Sequence, residues 1–259
     1  YKNHFVDRYK YGIKFKFWIA DWYAMLNKKY DGDLDKIQES GKLMIETFKA
    51  CGMNLENVEF IWASKEINKT PDKYWRLVMD ISTRFNMNRI LKCTQIMGRS
   101  ESDDLHASQL FYPVMQCADI FHLNVDICSL GMDQRKVNML AREYCDKLKM
   151  KSKPVMLSHH MLLGLKGEDK MSKSDPESAI YMDDSEADVN RKIKKAYCPP
   201  NQIDKNPIME YIEYIILQKY KYLTIIRKDE YGGNVDYNSI QDIKKDYLEG
   251  SLHPGDLKK

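Results

Sequence analysis

The chain has 259 residues, carries 41 Lys and Arg against 38 Asp and Glu for a net charge of +3, and is 43% hydrophobic and 31% charged. This is the make-up of a globular protein with a sizeable core, in one large domain or two, and it excludes a disordered or fibrous polymer. No stretch reaches the roughly 20 apolar residues of a membrane helix, because the most apolar region, 110–130, is broken by Gln116, Asp119, His122, Asn124 and Asp126; no membrane partner is expected. The small positive charge leaves a nucleic-acid partner open, since attraction to phosphate depends on where the cations lie.

In chain order, residues 13–20 read as a strand with Ile13, Phe15, Phe17 and Ile19 on one face. A helix follows, with Asp33 placed to cap it, Leu34, Ile37, Met44 and Phe48 at helical spacing, and Gly52 as a stop. Residues 58–62 read as a second strand, so strand, helix and strand point to a parallel βαβ unit. Thr70 and Pro71 open a helix that turns Trp75, Leu77, Val78 and Ile81 inward. More helix is expected over 90–97, then a helix over 108–122 that Pro113 should kink or begin. A short strand over 125–128, a turn at Gly131, a helix over 134–148 and a strand over 154–157 complete an alternating α/β pattern. After about residue 183 the pattern becomes helical, starting at a capping box over 185–188.

The expected fold is therefore α/β: a Rossmann-like parallel sheet over 1–183, followed by an all-α domain over 184–259. The six cysteines lie far apart with no C-x-x-C pair and read as reduced core residues, which points to the cytosol. The first residue is Tyr1 and not Met, and no targeting segment follows it, so the chain is expected to begin inside a longer protein.

Three stretches carry chemistry. Residues 167–176 (GEDKMSKSDP) form a short polar segment bounded by Gly167 and Pro176, expected as a surface loop with two lysines that could meet phosphate or simply be solvated. In the helix over 108–122, Tyr112, Gln116 and Asp119 are spaced i, i+4 and i+7 and so share one face. Polar groups on the face of an otherwise apolar helix meet either each other, as a satisfied core network, or a ligand. Gly131 and Asp133 precede the next helix, where the glycine allows close approach of a nucleotide and the carboxylate could accept from ribose hydroxyls or cap the helix.

The five letters Lys170-Met171-Ser172-Lys173-Ser174 match the KMSKS signature of class I aminoacyl-tRNA synthetases. Tyr112-x-x-x-Gln116-x-x-Asp119, followed by Gly131-Met132-Asp133-Gln134-Arg135-Lys136, resembles the amino-acid pocket and ribose site of the tyrosyl enzymes. The closing 253–258 segment and the turn at Tyr231-Gly232-Gly233 resemble the anticodon-binding region of their eukaryotic and archaeal form.

This resemblance implies a tyrosine–tRNA ligase that uses ATP with Mg²⁺, makes tyrosyl-adenylate and pyrophosphate, and passes the tyrosyl group to tRNA(Tyr). It implies that Lys170 and Lys173 stabilise the leaving pyrophosphate and that Ser172 holds the closed loop. Tyr112 and Gln116 would contact the substrate amino group, Gln134 its α-carbon and carboxylate, and Asp119 its phenol. Gly131 and Asp133 would take the ribose, while Arg135, Tyr231 and Asp256 would read tRNA. A homodimer is expected, and no residue is assigned to a resident metal. The domains would be catalytic over 1–183, including the KMSKS loop, and anticodon-binding over 184–259.

The family's HIGH motif is missing, so the chain alone should be inactive or represent part of an active enzyme. Tyr23 stands where related sequences often carry histidine, and its role is open, as is that of His159 and His160. The alternatives are a silent tRNA-binding protein of the same fold and a tryptophanyl enzyme.

Overall fold

The structure is a computed structural model, and it describes residues 12–98, 104, 106–168, 171 and 175–259. The chain divides into two compact units, Tyr1–His160 and Met161–Lys259.

The first unit alternates strands and helices: β1 (Phe15–Ile19), α1 (Asp21–Leu26), α2 (Leu34–Ala50), β2 (Val58–Trp62), α3 (Ala63–Ile67), α4 (Pro71–Arg84), α5 (Met87–Leu91), α6 (Ala107–His122), β3 (Ile127–Gly131), α7 (Arg135–Lys147) and β4 (Val155–His159). β1 pairs with β2 in parallel, Phe17 opposite Phe60, and β3 pairs with β4 in parallel, Ser129 opposite Leu157. Among the described residues, hydrogen bonds join the strands as two parallel ribbons and not as one continuous sheet.

The expected caps hold in part. Asp33 accepts from the Lys36 backbone N–H at 3.1 Å and so starts α2. Thr70 does not cap α4 through its hydroxyl, and the proline at the first turn, with φ already helical, marks the start by itself. The helix expected over 90–97 is broken, with α5 ending at Leu91 and a 3₁₀ turn over Thr94–Met97 closed by Gly98 at φ 76°. Pro113 lies inside α6 rather than at its start, where its missing N–H leaves the Gln109 carbonyl without its usual helical donor.

Three helices supply most of the core of this unit. Tyr74, Val78 and Ile81 of α4, Val114, Met115, Cys117 and Ala118 of α6, and Val137, Leu140 and Ala141 of α7 are all buried together. Each large side chain so buried contributes about 1.5–3 kcal/mol. Cys93, Cys117, Cys128, Cys145 and Cys198 are free, and among the described residues no helix is long and apolar enough to cross a membrane.

The second unit holds α8 (Glu186–Lys195), α9 (Pro207–Tyr211) running through a π turn (Ile212–Ile216) into α10 (Leu217–Tyr220), then β5 (Leu223–Ile225), β6 (Val235–Tyr237), α11 (Ile240–Glu249) and α12 (Pro254–Leu257). The expectation of an all-α C-terminal part is corrected here. β5 and β6 form an antiparallel pair with Thr224 opposite Asp236, and Ile225 and Tyr237 point into the core beside Ile243, Tyr247 and Leu252. Leu165, which precedes the KMSKS segment, is buried in that same core.

Candidate functional site

The site begins with a second buried carboxylate that sequence reading passed over. Asp21, 2% exposed, accepts from the backbone N–H of Trp22 at 2.9 Å, the backbone N–H of Ser64 at 3.0 Å and the Gln38 amide at 3.0 Å, and also from the Ser64 hydroxyl. It therefore ties the start of α1 to α2 and α3. That anchoring fixes Tyr23, two residues further along α1.

Tyr23 is 2% exposed and donates its phenol O–H to Oδ2 of Asp119. Tyr74, fully buried on α4, donates to Oδ1 of the same carboxylate at 2.9 Å, and the two phenol oxygens lie 3.2 Å apart. Asp119 is 5% exposed. Three elements far apart in sequence thus converge on one carboxylate.

Burial is the largest influence on Asp119 and pushes its carboxyl up to about 7, against the opposing hydrogen bonds from Tyr23 and Tyr74. The Trp18 indole adds a smaller effect in the direction of the hydroxyls, although its Nε1 is buried without a partner in hydrogen-bonding geometry. Burial, then the charge of Asp119, raises both the Tyr23 and the Tyr74 phenols, so both stay protonated donors.

Along α6 the three sequence-picked residues descend in exposure: Tyr112 and Gln116 are half-buried and Asp119 is buried. The carboxylate is the floor of this row. The Tyr112 ring meets the Tyr23 ring edge-on at 5.0 Å between centroids, and burial pushes its phenol up to about 12, with Asp119 and Asp133 adding to it. Gln116 donates to the Gln134 side-chain oxygen at 3.1 Å, and the Gln134 amide donates to the Ile96 carbonyl and to Asp133, each at 3.1 Å. The structure thus brings Tyr112 and Asp119 together around Tyr23, and Gln116, Gln134 and Asp133 together in a chain.

Gly131 is buried at the end of β3, opposite His159 of β4. Its φ of −63° is ordinary, so the backbone conformation does not itself require glycine there. Asp133 is exposed and does not cap α7, whose flanking residue Gln134 makes no side-chain cap bond. Arg135 is exposed at the first position of α7, and His160 is exposed just past β4.

Lys170, Ser172 and Lys173 lie outside the described residues. What surrounds them is described. Gly164 N–H donates to the Glu168 carbonyl at 2.9 Å, Leu165 N–H donates to the Ser178 carbonyl at 2.8 Å, and Lys166 pairs with Asp175. Lys192 is 3% exposed, donates to both oxygens of Asp184 at 2.8 and 2.6 Å and to the Ala179 carbonyl at 3.0 Å, and lies over the Tyr181 ring. This charge network pins residues 175–184 to α8.

Tyr231 is 64% exposed before Gly232 and Gly233, which take φ of 94° and 70°. Asp256 lies in α12 and accepts from Lys259 at 2.9 Å. Arg227 connects the two regions, donating to the Gly233 carbonyl at 3.1 Å and to the Ser251 carbonyl at 2.8 Å.

The chain belongs to the class I tRNA synthetases of the W and Y family, whose model it matches over residues 3–259. Within that family its similarity is to tyrosine–tRNA ligases. It is 61% identical over 249 residues to tyrosine–tRNA ligase 1, cytoplasmic, of Arabidopsis thaliana, covering 96% of this chain and 65% of that protein. It is 42% identical to the tyrosine–tRNA ligase of Picrophilus torridus, covering 99% of this chain and 79% of that one. Its fold superposes with a TM-score of 0.89 and 37% identity on the crystal structure of the tyrosyl-tRNA synthetase from Pyrococcus horikoshii complexed with L-tyrosine, over 99% of this chain and 77% of that one. The fold is thus the α/β class I synthetase fold with parallel strands, and the chain spans 65% of the length of this plant relative and 33% of that of a second, tyrosine–tRNA ligase 2, cytoplasmic, of the same plant.

Proposed function

We propose that this chain is part of a tyrosine–tRNA ligase, which activates tyrosine with ATP and transfers it to tRNA(Tyr) in the cytoplasm. The observation that carries the specificity is Asp119: a buried carboxylate at the floor of a row of half-buried polar side chains, already surrounded by phenols. It accepts the hydroxyl of tyrosine, and phenylalanine in its place would leave that acceptor without its donor. Support for the activity and the compartment comes from the names of the relatives.

In this reading Tyr112 and Gln116 hold the substrate amino group and Gln134 its carboxylate side, while Gly131 and Asp133 receive the ribose. The Gln116–Gln134–Asp133 hydrogen-bond chain supports that division, because it would link the amino-acid and ribose ends. The substrate carboxylate is already an anion and attacks the α-phosphorus in line, so no protein nucleophile is needed and catalysis is positioning with charge stabilisation. Lys170 and Lys173 stabilise the departing pyrophosphate, with Ser172 holding their loop. Mg²⁺ would arrive with ATP and share the charge of the departing pyrophosphate.

Residues 1–183 serve catalysis and 184–259 read the anticodon, through Tyr231 and Asp256, while Arg135 reads the acceptor stem. Exposure of Tyr231 supports a stacking role. The protein acts as a homodimer, which sedimentation of the whole protein tests. Tyrosine-dependent exchange of labelled pyrophosphate into ATP tests the activity; tRNA binding without any such exchange would favour a silent binder instead.

A further inference from the structure

The phenols of Tyr23 and Tyr74 need a reason. Both rings are buried in the core of the first unit, where phenylalanine would fill nearly the same apolar volume without a hydroxyl to satisfy. Their hydroxyls meet each other and Asp119, with the Met115 carbonyl a long 3.4 Å from Tyr74.

We propose that Tyr23 and Tyr74 are positioning residues for substrate choice: their hydroxyls hold the Asp119 carboxylate as an oriented acceptor, and the substrate phenol joins as the third hydroxyl of the cluster. This rests on the reading of Asp119 as the phenol acceptor.

Three observations carry it. A carboxylate offers about four lone-pair sites, and Tyr23 and Tyr74 occupy one on each oxygen, so lone pairs remain for a third donor without displacing either. The groups that favour the ionised form are Tyr23, Tyr74 and Trp18, none of them a cation. Among the described residues, the ionisable groups around it are Tyr23 from α1, Tyr74 from α4, Cys128 from β3, and Tyr112, Cys117 and His122 from α6 itself; His122 meets the Tyr74 ring edge-on at 5.1 Å and burial pushes its imidazole down, towards the neutral form, so none of them is a cation at neutral pH. Hydroxyl donors therefore do the work that an arginine or lysine does beside most buried carboxylates, and they leave the site free of a charge that would fix the carboxylate too tightly to release a neutral phenol. Finally, each tyrosine is anchored independently of the other, Tyr23 through the hydrogen bonds of Asp21 and Tyr74 through the packing of α4 on α6.

The test compares Tyr23→Phe and Tyr74→Phe with the parent in the whole protein, by pyrophosphate exchange as a function of pH. Loss of one donor to a charged acceptor should raise the KM for tyrosine about tenfold, leave the KM for ATP unchanged, and move the acid limb of kcat/KM for tyrosine up by about one pH unit. Tyr23→His, which keeps an N–H donor, should recover part of the tyrosine KM. An unchanged KM with an unmoved acid limb overturns the proposal, and so does a lower KM, which would mean that the hydroxyl competes with the substrate. If Tyr23→Phe does not fold, Tyr74→Phe decides by the same criteria.

A substrate-free readout separates this from failure of the functional reading: infrared titration of the Asp119 carboxyl, assigned by its loss in Asp119→Asn, should shift upward in Tyr23→Phe. A carboxyl that does not shift refutes the positioning role. A parent protein without tyrosine-dependent exchange, whose carboxyl shifts as expected, refutes the functional reading.

Discussion

Replacing Asp119 by asparagine separates what this carboxylate does for function from what it costs in stability. The substitution keeps size and shape but removes the charge, so on the proposed reading the amide oxygen would accept only a neutral hydrogen bond from the substrate phenol. A hydrogen bond to a charged group is worth about 1.5–3 kcal/mol against about 0.5–1.5 for a neutral one, and the difference of about 1–1.5 kcal/mol corresponds to a loss of roughly 5-fold to 13-fold in tyrosine affinity. On the proposed reading ATP does not reach this floor, and its KM should stay within about twofold of the parent.

Stability should move the other way. Burial holds the folded carboxyl up at about 7, well above the ordinary aspartate range, so the folded state holds its proton longer than the unfolded one. The parent therefore loses stability as pH rises from about 4 through about 7. At about 1.4 kcal/mol per pH unit over about three units, ionising Asp119 costs on the order of 4 kcal/mol at pH 8, less what asparagine forfeits in hydrogen bonding. Asp119→Asn should thus unfold at a higher temperature than the parent at pH 8 and lose that advantage by pH 5. Pyrophosphate exchange for the two substrates and thermal unfolding at both pH values check this; equal losses for tyrosine and ATP, or a lower midpoint at pH 8, would refute the reasoning.

Lys170→Ala should slow adenylate formation in single turnover while tyrosine affinity stays nearly constant, and an unaltered rate would remove this lysine from the mechanism. Lys192→Met strips Asp184 of its buried partner and should cost about 3 kcal/mol in urea unfolding, with protease cleavage appearing within 175–184; a cost under about 1 kcal/mol would contradict the pinning role. Gly41→Ala places a methyl 2.7 Å from the Trp62 ring and 3.3 Å from Ile19, and overpacking of this kind costs about 1–3 kcal/mol, measured by thermal unfolding. Arg227→Ala frees the Gly233 and Ser251 carbonyls and should weaken tRNA binding without altering pyrophosphate exchange; equal tRNA affinity would show that the two regions need no link.

Much of the first unit was legible because its periodicity is strong: the strand over 58–62 and the α6 and α7 helices announce themselves through spacing and flanking turns. The site was legible only where it is local. Tyr112, Gln116 and Asp119 share a helix and a face, so spacing finds them. Tyr23 and Tyr74 reach Asp119 from 96 and 45 residues away, and such contacts leave no periodic trace; the inward stripe expected for α4 also begins at Trp75, which is half-buried, whereas its neighbour Tyr74 is the buried one. Asp21 is invisible for the same reason, since its partners come from three segments. β5 and β6 escaped because three-residue strands are too short for alternation to register against the helical pattern around them.

The most direct measurement is the ratio of kcat/KM for tyrosine to that for phenylalanine, by pyrophosphate exchange with the whole protein at pH 6 and pH 8. A site built to bond a hydroxyl rejects the analogue that lacks it, and tyrosyl enzymes are the standard illustration of this. The account predicts a preference of several orders of magnitude at pH 8 that shrinks at pH 6, as Asp119 takes up its proton. A ratio near one, or a strong preference that does not change between the two pH values, would contradict it.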